Sequence, residues 1–218
     1  MRDLVFTAES SLSLELFNLP PVVVPFDLLH ESRVQNRLLR EEMSYDITPE
    51  DAEVEWEKFN TDQSLAAEKI MAAVDENGND EFGTAALFFL NGAGGTGKTM
   101  VQNPILKKLR SQKRVALAVA SSGIAATLLD GGRTAHSRFK IPLDAESTSN
   151  CGIQNGTNLI ELIKRACIIF WDEAPMQSTF AVECVSRFLQ DICGNNGAYF
   201  GGKVVCFCGD FRQTLRTK

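Results

Sequence analysis

The stretch LNGAGGTGKTM, residues 90–100, decides the fold of this chain. Four glycines fall within six positions and are followed by Lys98 and Thr99, so the stretch has too little side chain to build a core. Glycine allows left-handed backbone conformations and lets a backbone come close to a ligand. The stretch therefore predicts a loop whose bare backbone surrounds a ligand, and the flanking residues indicate what kind.

The loop matches the pattern G-x-x-x-x-G-K-[ST] and lies between a segment that predicts a strand and one that predicts a helix. In that context backbone N–H groups bind an oligophosphate, aided by the helix dipole. We expect Lys98 to contact the β- and γ-phosphates and Thr99 to bind Mg²⁺. The predicted nucleotide-binding residues of the loop are Gly92, Ala93, Gly94, Gly95, Thr96, Gly97, Lys98 and Thr99. A glycine-rich turn that happens to precede a lysine is the alternative.

Nucleotide hydrolysis also needs a carboxylate at a strand end, and CIIFWDEAP, residues 167–175, supplies one. We expect Asp172 to hold Mg²⁺ through its water shell and Glu173 to orient and activate the attacking water. Gln213, in GDFRQ after the last predicted strand, is a candidate sensor of the γ-phosphate. The alternatives are an ordinary acidic strand end and a solvated amide.

Apolar segments alternate with helical patterns from residue 85 onward, which predicts a parallel α/β sheet covered on both faces. The first of these segments, AALFFLN, reads as a buried strand. A loop of about 25 residues is expected after residue 130. The predicted strands cover 85–91, 114–121, 166–173 and 203–211, and the predicted helices 98–110, 122–130, 159–165 and 180–192.

The first 82 residues differ in composition and in apolar spacing from the rest of the chain. Residues 1–50 contain the proline-punctuated LPPVVVPF and then a run, residues 28–43, with near-helical apolar spacing. Residues 51–82 hold an acidic stretch and a helix that Asn60 or Thr61 can cap. The apolar face predicted for that helix consists of Leu65, Ala66, Ile70 and Val74. Residues 83–218 form the third predicted region, the phosphate-loop domain.

The composition is that of an ordinary globular protein, with 218 residues, 44% hydrophobic, 23% charged, and a net charge of −6. The charge is uneven, because residues 1–90 carry 19 acidic and 6 basic side chains, whereas residues 91–218 carry 9 acidic and 16 basic. A basic region beside an acidic one suits a phosphate or nucleic-acid partner. Solvated helix faces explain the same pattern equally well.

Membrane and secretion signals are not expected. The longest wholly apolar run, residues 85–90, is too short to span a bilayer, and Glu9 and Glu15 interrupt the segment where a signal peptide would be apolar. The six cysteines form no CxxC pair, which fits reduced thiols in an intracellular protein. Cys206 and Cys208 are expected to be small core residues rather than metal ligands.

Four linked motifs give a more specific indication: GAGGTGKT, AVASSGIAATLLDGGRTAHSRFKIP, IIFWDEAPM and FGGKVVCFCGDFRQ. Together they resemble the Pif-type (petite integration frequency) DNA helicases of superfamily one, especially the Helitron-like branch, from about residue 36 to Gln213. The resemblance implies a RecA-like P-loop NTPase of three layers that uses ATP and Mg²⁺ and moves 5′ to 3′ on single-stranded DNA. It also implies roles in DNA replication, repair, recombination and telomere maintenance, and a nuclear location.

The resemblance also assigns residues outside the loop. Gln63, in FNTDQ, corresponds to the glutamine that reads the adenine edge, although a solvated first-turn residue is the alternative. Phe139 is expected in the core, like Trp171, rather than stacked on a base. Hydroxyls and backbone N–H groups suit sequence-independent phosphate contacts. The candidate DNA-binding residues are Ser121, Ser122, Thr134, His136 and Ser137.

Helicases of this type close their ATP site with a second RecA-like lobe that supplies arginine fingers, and we expect only the first lobe in this chain. Two local departures stand out: Thr214-Leu215-Arg216 replaces the family's leucine–proline pair, and Pro104 lies where it is expected to kink the helix after the loop. An inactive, transposon-derived remnant is therefore the alternative function. A different phosphate-loop enzyme is a third: a GTPase is disfavoured because no guanine-recognition N-K-x-D motif is present, and a kinase because of DEAP together with GDFRQ.

Overall fold

The structure, a computed structural model, describes residues 37–77 and 85–213 and the backbone of residues 4–5 and 23–24. The two short backbone segments are strands β1 (Leu4–Val5) and β2 (Val23–Val24), which pair antiparallel. The predictions for LPPVVVPF, for most of residues 28–36 and for Arg216 lie outside the described residues. In the part that the structure describes, no helix is both long and apolar enough to cross a membrane.

The central sheet has five parallel strands in the order β3-β7-β6-β4-β5. All strands point the same way, so their carboxyl ends share one edge. β7 lies between β3 and β6 and pairs with both. The strands are β3 (Leu87–Asn91), β4 (Val115–Ala120), β5 (Arg133–Thr134), β6 (Ala166–Asp172) and β7 (Val204–Gly209).

Helices cover both faces of this sheet, which confirms the predicted three-layer α/β fold. α3, α4 and α5 contribute to the core on one face, and α1, α6, α7 and α8 to the core on the other. The helices are α1 (Arg37–Met43), α2 (Pro49–Trp56), α3 (Thr61–Asn77), α4 (Lys98–Ser111), α5 (Gly123–Leu128), α6 (Ala135–Phe139), α7 (Asn158–Arg165) and α8 (Thr179–Cys193).

Alternation along the central strands explains the two cores. In β4, every residue is buried, with valine and leucine packing against one helical layer and alanine against the other. Small alanine side chains let α4 and α3 approach the sheet closely, and their own larger residues fill the space. Cys206, Cys208, Trp171 and Phe139 are all fully buried, as predicted. Within the described residues, no group of three or more metal-ligating side chains occurs.

The prediction of a buried first strand was wrong in part. β3 is an edge strand, with Leu87 46% and Phe89 38% exposed. The ring of Phe89 stacks on that of Phe211, with centroids 4.1 Å apart. A continuous apolar run shows that a segment is strand, but it does not show whether that strand has neighbours on both sides.

The predicted apolar face of α3 was shifted. Leu65 is 51% exposed and Ala66 half-buried, and the face that packs on the sheet consists of Ala67, Ile70, Met71 and Val74. Asn60 is the cap, because its Oδ1 accepts a hydrogen bond of 2.9 Å from the N–H of Gln63. Leucine outweighs alanine in an apolar pattern, so the predicted face was rotated from the observed one by about a fifth of a turn.

Three further elements differ from the predictions. α2 was not predicted, although Thr48 and Asp51 form a capping box around Pro49 at its first turn. The loop predicted after residue 130 contains β5 and α6. The predicted kink at Pro104 does not divide α4, which runs as one helix from Lys98 to Ser111 with Pro104 buried. Propensity alone underestimates how far packing holds a helix together.

A buried ion pair attaches α1 to the rest of the fold. Arg110, on α4, donates to Glu42 through Nε at 2.9 Å and Nη2 at 2.8 Å, and both side chains are buried. Its Nη1 donates to the carbonyl of Asp130 at 2.8 Å, and its guanidinium lies 4.2 Å from the ring centroid of Tyr45. One side chain therefore joins α1, the segment after it and the turn after α5.

We predict that Glu42→Ala lowers the free energy of unfolding by about 3–5 kcal/mol, because it leaves the buried Arg110 charge uncompensated. Urea unfolding followed by circular dichroism measures this change. Arg37→Ala is the matched control on the same helix, since it removes the exposed Arg37–Glu41 pair. That control should unfold at the same urea concentration as the parent chain. Equal midpoints for the two variants would contradict the role given to Arg110.

Candidate nucleotide and DNA site

Three positions of the phosphate loop require glycine, each for an identifiable structural reason. Gly95 and Gly97 adopt φ of 78° and 86°, in the left-handed region that costs other residues about 1–2 kcal/mol. A Cβ on Gly92 would overlap the hydroxyl of Thr96. That hydroxyl donates to the carbonyl of Ala93 at 2.8 Å, which closes the loop on itself. The sequence pattern thus corresponds to a preformed backbone cradle.

Lys98 begins α4 and folds back over the loop. Its ammonium donates to the carbonyls of Gly92 at 2.7 Å and Ala93 at 3.2 Å. A lysine ammonium has three protons, so one remains for a phosphate oxygen. The first N–H groups of α4 have no partner inside the helix, and together with the helix dipole they favour an anion there. Thr99 follows in the first turn and is half-buried.

Asp172 lies at the carboxyl end of β6 and is 5% exposed. Its Oδ1 accepts a hydrogen bond of 3.3 Å from the amide nitrogen of Gln102, a fully buried residue of α4. The amide oxygen of Gln102 has no hydrogen-bond partner among residues 37–77 and 85–213. Sequence reasoning missed Gln102. Gln102 is three residues after Thr99 and four after Lys98, so it lies on the same face of the helix as both. This spacing can be read from the sequence and could have identified Gln102.

Glu173 leaves the strand in a left-handed conformation, with φ 49° and ψ 36°. For a residue other than glycine this backbone costs about 1–3 kcal/mol, and such strain is concentrated at functional sites. A short 3₁₀ turn, Ala174–Met176, follows. A Cβ on Gly209 would overlap the ring of Pro175, so the glycine at the end of β7 lets this turn pack closely. Glu173 itself is half-buried, directly after the end of β6.

Gln213 is brought to the loop by β7. The strand continues into a 3₁₀ turn, Phe211–Gln213, in which the N–H of Gln213 donates to the carbonyl of Asp210 at 3.1 Å. The Asp210 carboxylate accepts from the N–H of Arg212 at 2.9 Å and fixes the turn. A methyl group on Gly94 would lie 3.9 Å from the amide nitrogen of Gln213. The amide therefore lies beside the phosphate loop.

Gln63 also lies against the loop rather than in open solvent. Its amide oxygen accepts from the N–H of Asn60 at 3.1 Å, and its amide nitrogen would be 2.9 Å from a Cβ on Gly97. A cavity of about 260 Å³ opens here, large enough for a base with its surrounding water. Its lining includes Asn60, Gln63, Leu90, Gly92, Gly97 and Lys98.

The serines proposed for DNA lie directly after β4. Ser122 caps α5, since its hydroxyl accepts from the N–H of Ala125 at 3.2 Å. The hydroxyl of Ser121 accepts from the indole N–H of Trp171 at 3.3 Å, and its backbone N–H donates to the carbonyl of Asp172 at 3.0 Å. Both hydroxyls keep a proton to donate to a phosphate.

The second candidate DNA segment is adjacent. β5 pairs with β4, with Thr134 opposite Ala120, so the two segments meet at the carboxyl edge of the sheet. Thr134 caps α6 by accepting from the N–H of Ser137 at 3.2 Å. Ser137 is exposed and His136 half-buried. The structure therefore brings together the residues that the sequence grouped.

The oxygen ligands near the loop fit Mg²⁺. The hydroxyl of Thr99 and the carboxylate of Asp172 are hard donors, and the amide oxygen of Gln102, buried and without a partner among the described residues, is a further polar atom on the side chain that bonds Asp172. Mg²⁺ is usually held by one or two protein side chains together with phosphates and waters. The site has that composition and needs no dedicated metal cluster.

We predict that Gly97→Ala weakens ADP binding at least about tenfold, or about 1.4 kcal/mol, because the new Cβ meets the Gln63 amide and strains the loop. Gly156→Ala is the matched control, since Gly156 has φ 78° but nothing within 4 Å of its Cβ position. Isothermal titration calorimetry with ADP measures both. If Gly97→Ala and Gly156→Ala lose ADP affinity equally, the loss comes from backbone strain at a left-handed position, and the contact with Gln63 is not its cause.

We predict that Gln102→Met reduces the Mg²⁺-dependent gain in ADP affinity about tenfold, because the Asp172 carboxylate loses its orienting hydrogen bond. ADP titrations with Mg²⁺ and with EDTA separate this effect from nucleotide binding itself. Asn103→Ala is the control, because Asn103 bonds the carbonyl of Leu128 and not Asp172. The same Mg²⁺ gain in the Gln102 variant and the parent would contradict the positioning role.

Comparison with known proteins gives consistent relatives. A model of the PIF1-like helicase family matches residues 58–217. The ATP-dependent DNA helicase Pif1 of Campylobacter jejuni is 32% identical over 132 residues, covering 57% of this chain and 28% of the relative. The structure of Bacteroides Pif1 in complex with ADP-AlF3 and ssDNA matches with a TM-score of 0.52 and 26% identity, covering 68% of this chain and 32% of that one.

A second solved structure, the Pif1 helicase of Candida albicans, shares the fold with a TM-score of 0.52 at 23% identity. This chain thus spans about a third or less of the relatives' lengths. The family match nevertheless covers the phosphate loop, Asp172, Gln63 and Gln213 in one continuous range. Because that range is well over half of the chain, the chain belongs to the PIF1-like helicase family.

Proposed function

We propose that this chain is the ATP-binding and DNA-contacting first lobe of a DNA helicase that moves 5′ to 3′ on single-stranded DNA. The observation that carries the proposal is the position of Gln213 beside Gly94, on a strand paired with both β3 and β6. A mere phosphate-binding loop requires no amide there. A site that hydrolyses a nucleotide uses such an amide to contact the γ-phosphate or the attacking water, and a motor can use its loss as a signal.

The proposed chemistry follows from the side chains. The loop N–H groups and Lys98 bind the phosphates, and Gln63 positions the adenine through its amide. Thr99 and Asp172 would hold Mg²⁺, which when bound neutralises charge on the phosphates. Glu173 accepts a proton from the attacking water as the water bonds to the γ-phosphorus, while the bond from that phosphorus to the β–γ bridging oxygen breaks and ADP leaves with the bond's electrons.

Coupling to DNA has a short covalent and hydrogen-bonded route. The N–H of Ser121 donates to the carbonyl of Asp172, and the indole of the preceding residue, Trp171, donates to the Ser121 hydroxyl. A shift of Asp172 on hydrolysis therefore reaches a candidate DNA-binding serine through one hydrogen bond. Ser122, Thr134, His136 and Ser137 extend that contact surface in the proposal.

The relatives support this proposal. The Bacteroides Pif1 structure was solved in complex with ADP-AlF3 and ssDNA, and we extend both ligand classes, as ATP and single-stranded DNA, to this chain. This chain covers 32% of that structure, so we propose that full activity also needs a second RecA-like lobe supplying arginine fingers. Roles in DNA repair, recombination and telomere maintenance, and a nuclear location, belong to the same proposal.

We predict that single-stranded DNA accelerates ATP hydrolysis by this chain and that Lys98→Ala abolishes the accelerated rate, because the γ-phosphate loses its ammonium contact. Gln213→Ala should keep ADP affinity and lose most of the DNA-stimulated turnover. Phosphate release assays with and without a poly-dT oligonucleotide measure these rates. Lys164→Ala, an exposed lysine on α7, is the control that should behave as the parent.

The outcomes separate the alternatives. ADP binding without any hydrolysis would confine the motor function to a protein with a second lobe. If the chain binds neither ADP nor DNA, it is the inactive remnant, and the proposal is wrong. DNA binding without any effect on hydrolysis would overturn the coupling through Ser121.

A further inference from the structure

A second polar cavity, of about 220 Å³, lies beside Arg138 of α6. It is enclosed by α1, by the turn at Gly131 and Gly132, and by α7. The left-handed Gly131 has no room for a Cβ, which would overlap the Tyr45 hydroxyl and lie 3.0 Å from the guanidinium of Arg110. The charged and polar side chains of the lining are Glu41, Glu42, Tyr45, Arg133 and Arg138.

Arg138 is the unusual residue of this cavity. It is 6% exposed, and its Nε has no hydrogen-bond partner in the part of the chain that the structure describes. Burial first, and then the neighbouring positive charge of Arg133, lower the pKa of Arg138. An arginine nevertheless stays protonated at neutral pH. A buried cation without a partner is costly, so an anion that reaches it is bound favourably.

The nearby carboxylates do not supply that anion. Glu41 and Glu42 both line the cavity, but Glu42 is paired with Arg110 at 2.8 Å and Glu41 with Arg37 at 2.7 Å. Arg133 is exposed and forms no ion pair with any described residue. Arg133 and Arg138 are therefore the charged residues of this lining that have no ion-pair partner among the described residues.

We propose that this cavity binds a phosphate group through Arg133 and Arg138. Guanidinium groups present paired N–H donors that match the oxygens of a phosphate, and the Tyr45 hydroxyl adds a further donor. A phosphate monoester or inorganic phosphate carries about two negative charges near neutral pH, which balances the two arginines. The volume corresponds to about seven waters, enough for one phosphate with some water and too small for a whole nucleotide.

The phosphate has two possible sources, free phosphate and the 5′ phosphate of a nucleic acid. Arg133 and Arg138 flank the segment Thr134–Ser137 in sequence, so a strand on that segment passes close to the cavity mouth. Both sources share the same recognition chemistry. The site is separate from the nucleotide loop, so it stands or falls independently of the proposed ATPase.

The test is a ¹⁵N–¹H spectrum of the arginine Nε–H groups of the full chain, recorded with Mg²⁺–ADP saturating the nucleotide site. Inorganic phosphate is titrated in one arm, and a short oligo-dT with or without a 5′ phosphate in another. We expect a saturable shift of the Arg138 Nε–H and no shift of the Arg110 Nε–H, which is already bonded to Glu42. A shift only with the 5′-phosphorylated oligonucleotide identifies nucleic acid as the source.

Substitutions of the two arginines test the proposed phosphate site by binding affinity, without relying on the spectrum. Arg133→Gln, at an exposed position that should not affect folding, is expected to weaken phosphate binding about tenfold, as for the loss of one hydrogen bond between charged groups. Arg138→Met should abolish it while leaving ADP affinity unchanged. Arg187→Gln, an arginine on α8 away from the cavity, is the control. The proposal is overturned if phosphate and both oligonucleotides leave Arg138 unshifted, if chloride shifts it equally, or if Arg133→Gln binds phosphate as the parent does.

Discussion

The position of β7 between β3 and β6 is the constraint on which the candidate site depends. Parallel pairing on both sides aligns the carboxyl ends of the three strands, so the segment that follows each one emerges at the same edge. The phosphate loop follows β3, Glu173 follows β6 and Gln213 follows β7. Any other strand order would leave the amide or the acidic pair away from the loop, however good the motifs.

Hydrogen bonds within the fold then connect this edge to its surroundings. Gln102 links the helix of the phosphate loop to Asp172, so the two halves of the proposed Mg²⁺ site are held by one buried contact. Ser121 links Asp172 to the segment proposed to contact DNA. Both connections use residues adjacent to motif positions. Energetic coupling between two sites can be carried by contiguous hydrogen bonds and packed side chains. These two contacts give the proposed nucleotide and DNA sites such a connection.

The second cavity illustrates a different use of charge. Arg110 and Arg138 are both buried arginines near α1, but Arg110 has a carboxylate, a carbonyl and an aromatic ring around it, whereas the Nε of Arg138 has no partner. The first arrangement stabilises the fold, and the second is the one that we propose for a phosphate. Composition and charge runs do not separate the two cases, since both residues belong to basic stretches of the sequence.

The sequence by itself determined the local features: the cradle of Gly95 and Gly97, the alternation of strands and helices to within a few residues, and the family. These depend on backbone conformation and periodicity, which neighbouring residues set. Only the tertiary structure decided that β3 is an edge strand, that Leu65 is exposed, that Gln102 meets Asp172 and that Arg138 is buried without a partner at its Nε. Each of those depends on pairing or packing between distant segments, and a local pattern carries no record of which distant segment becomes its neighbour.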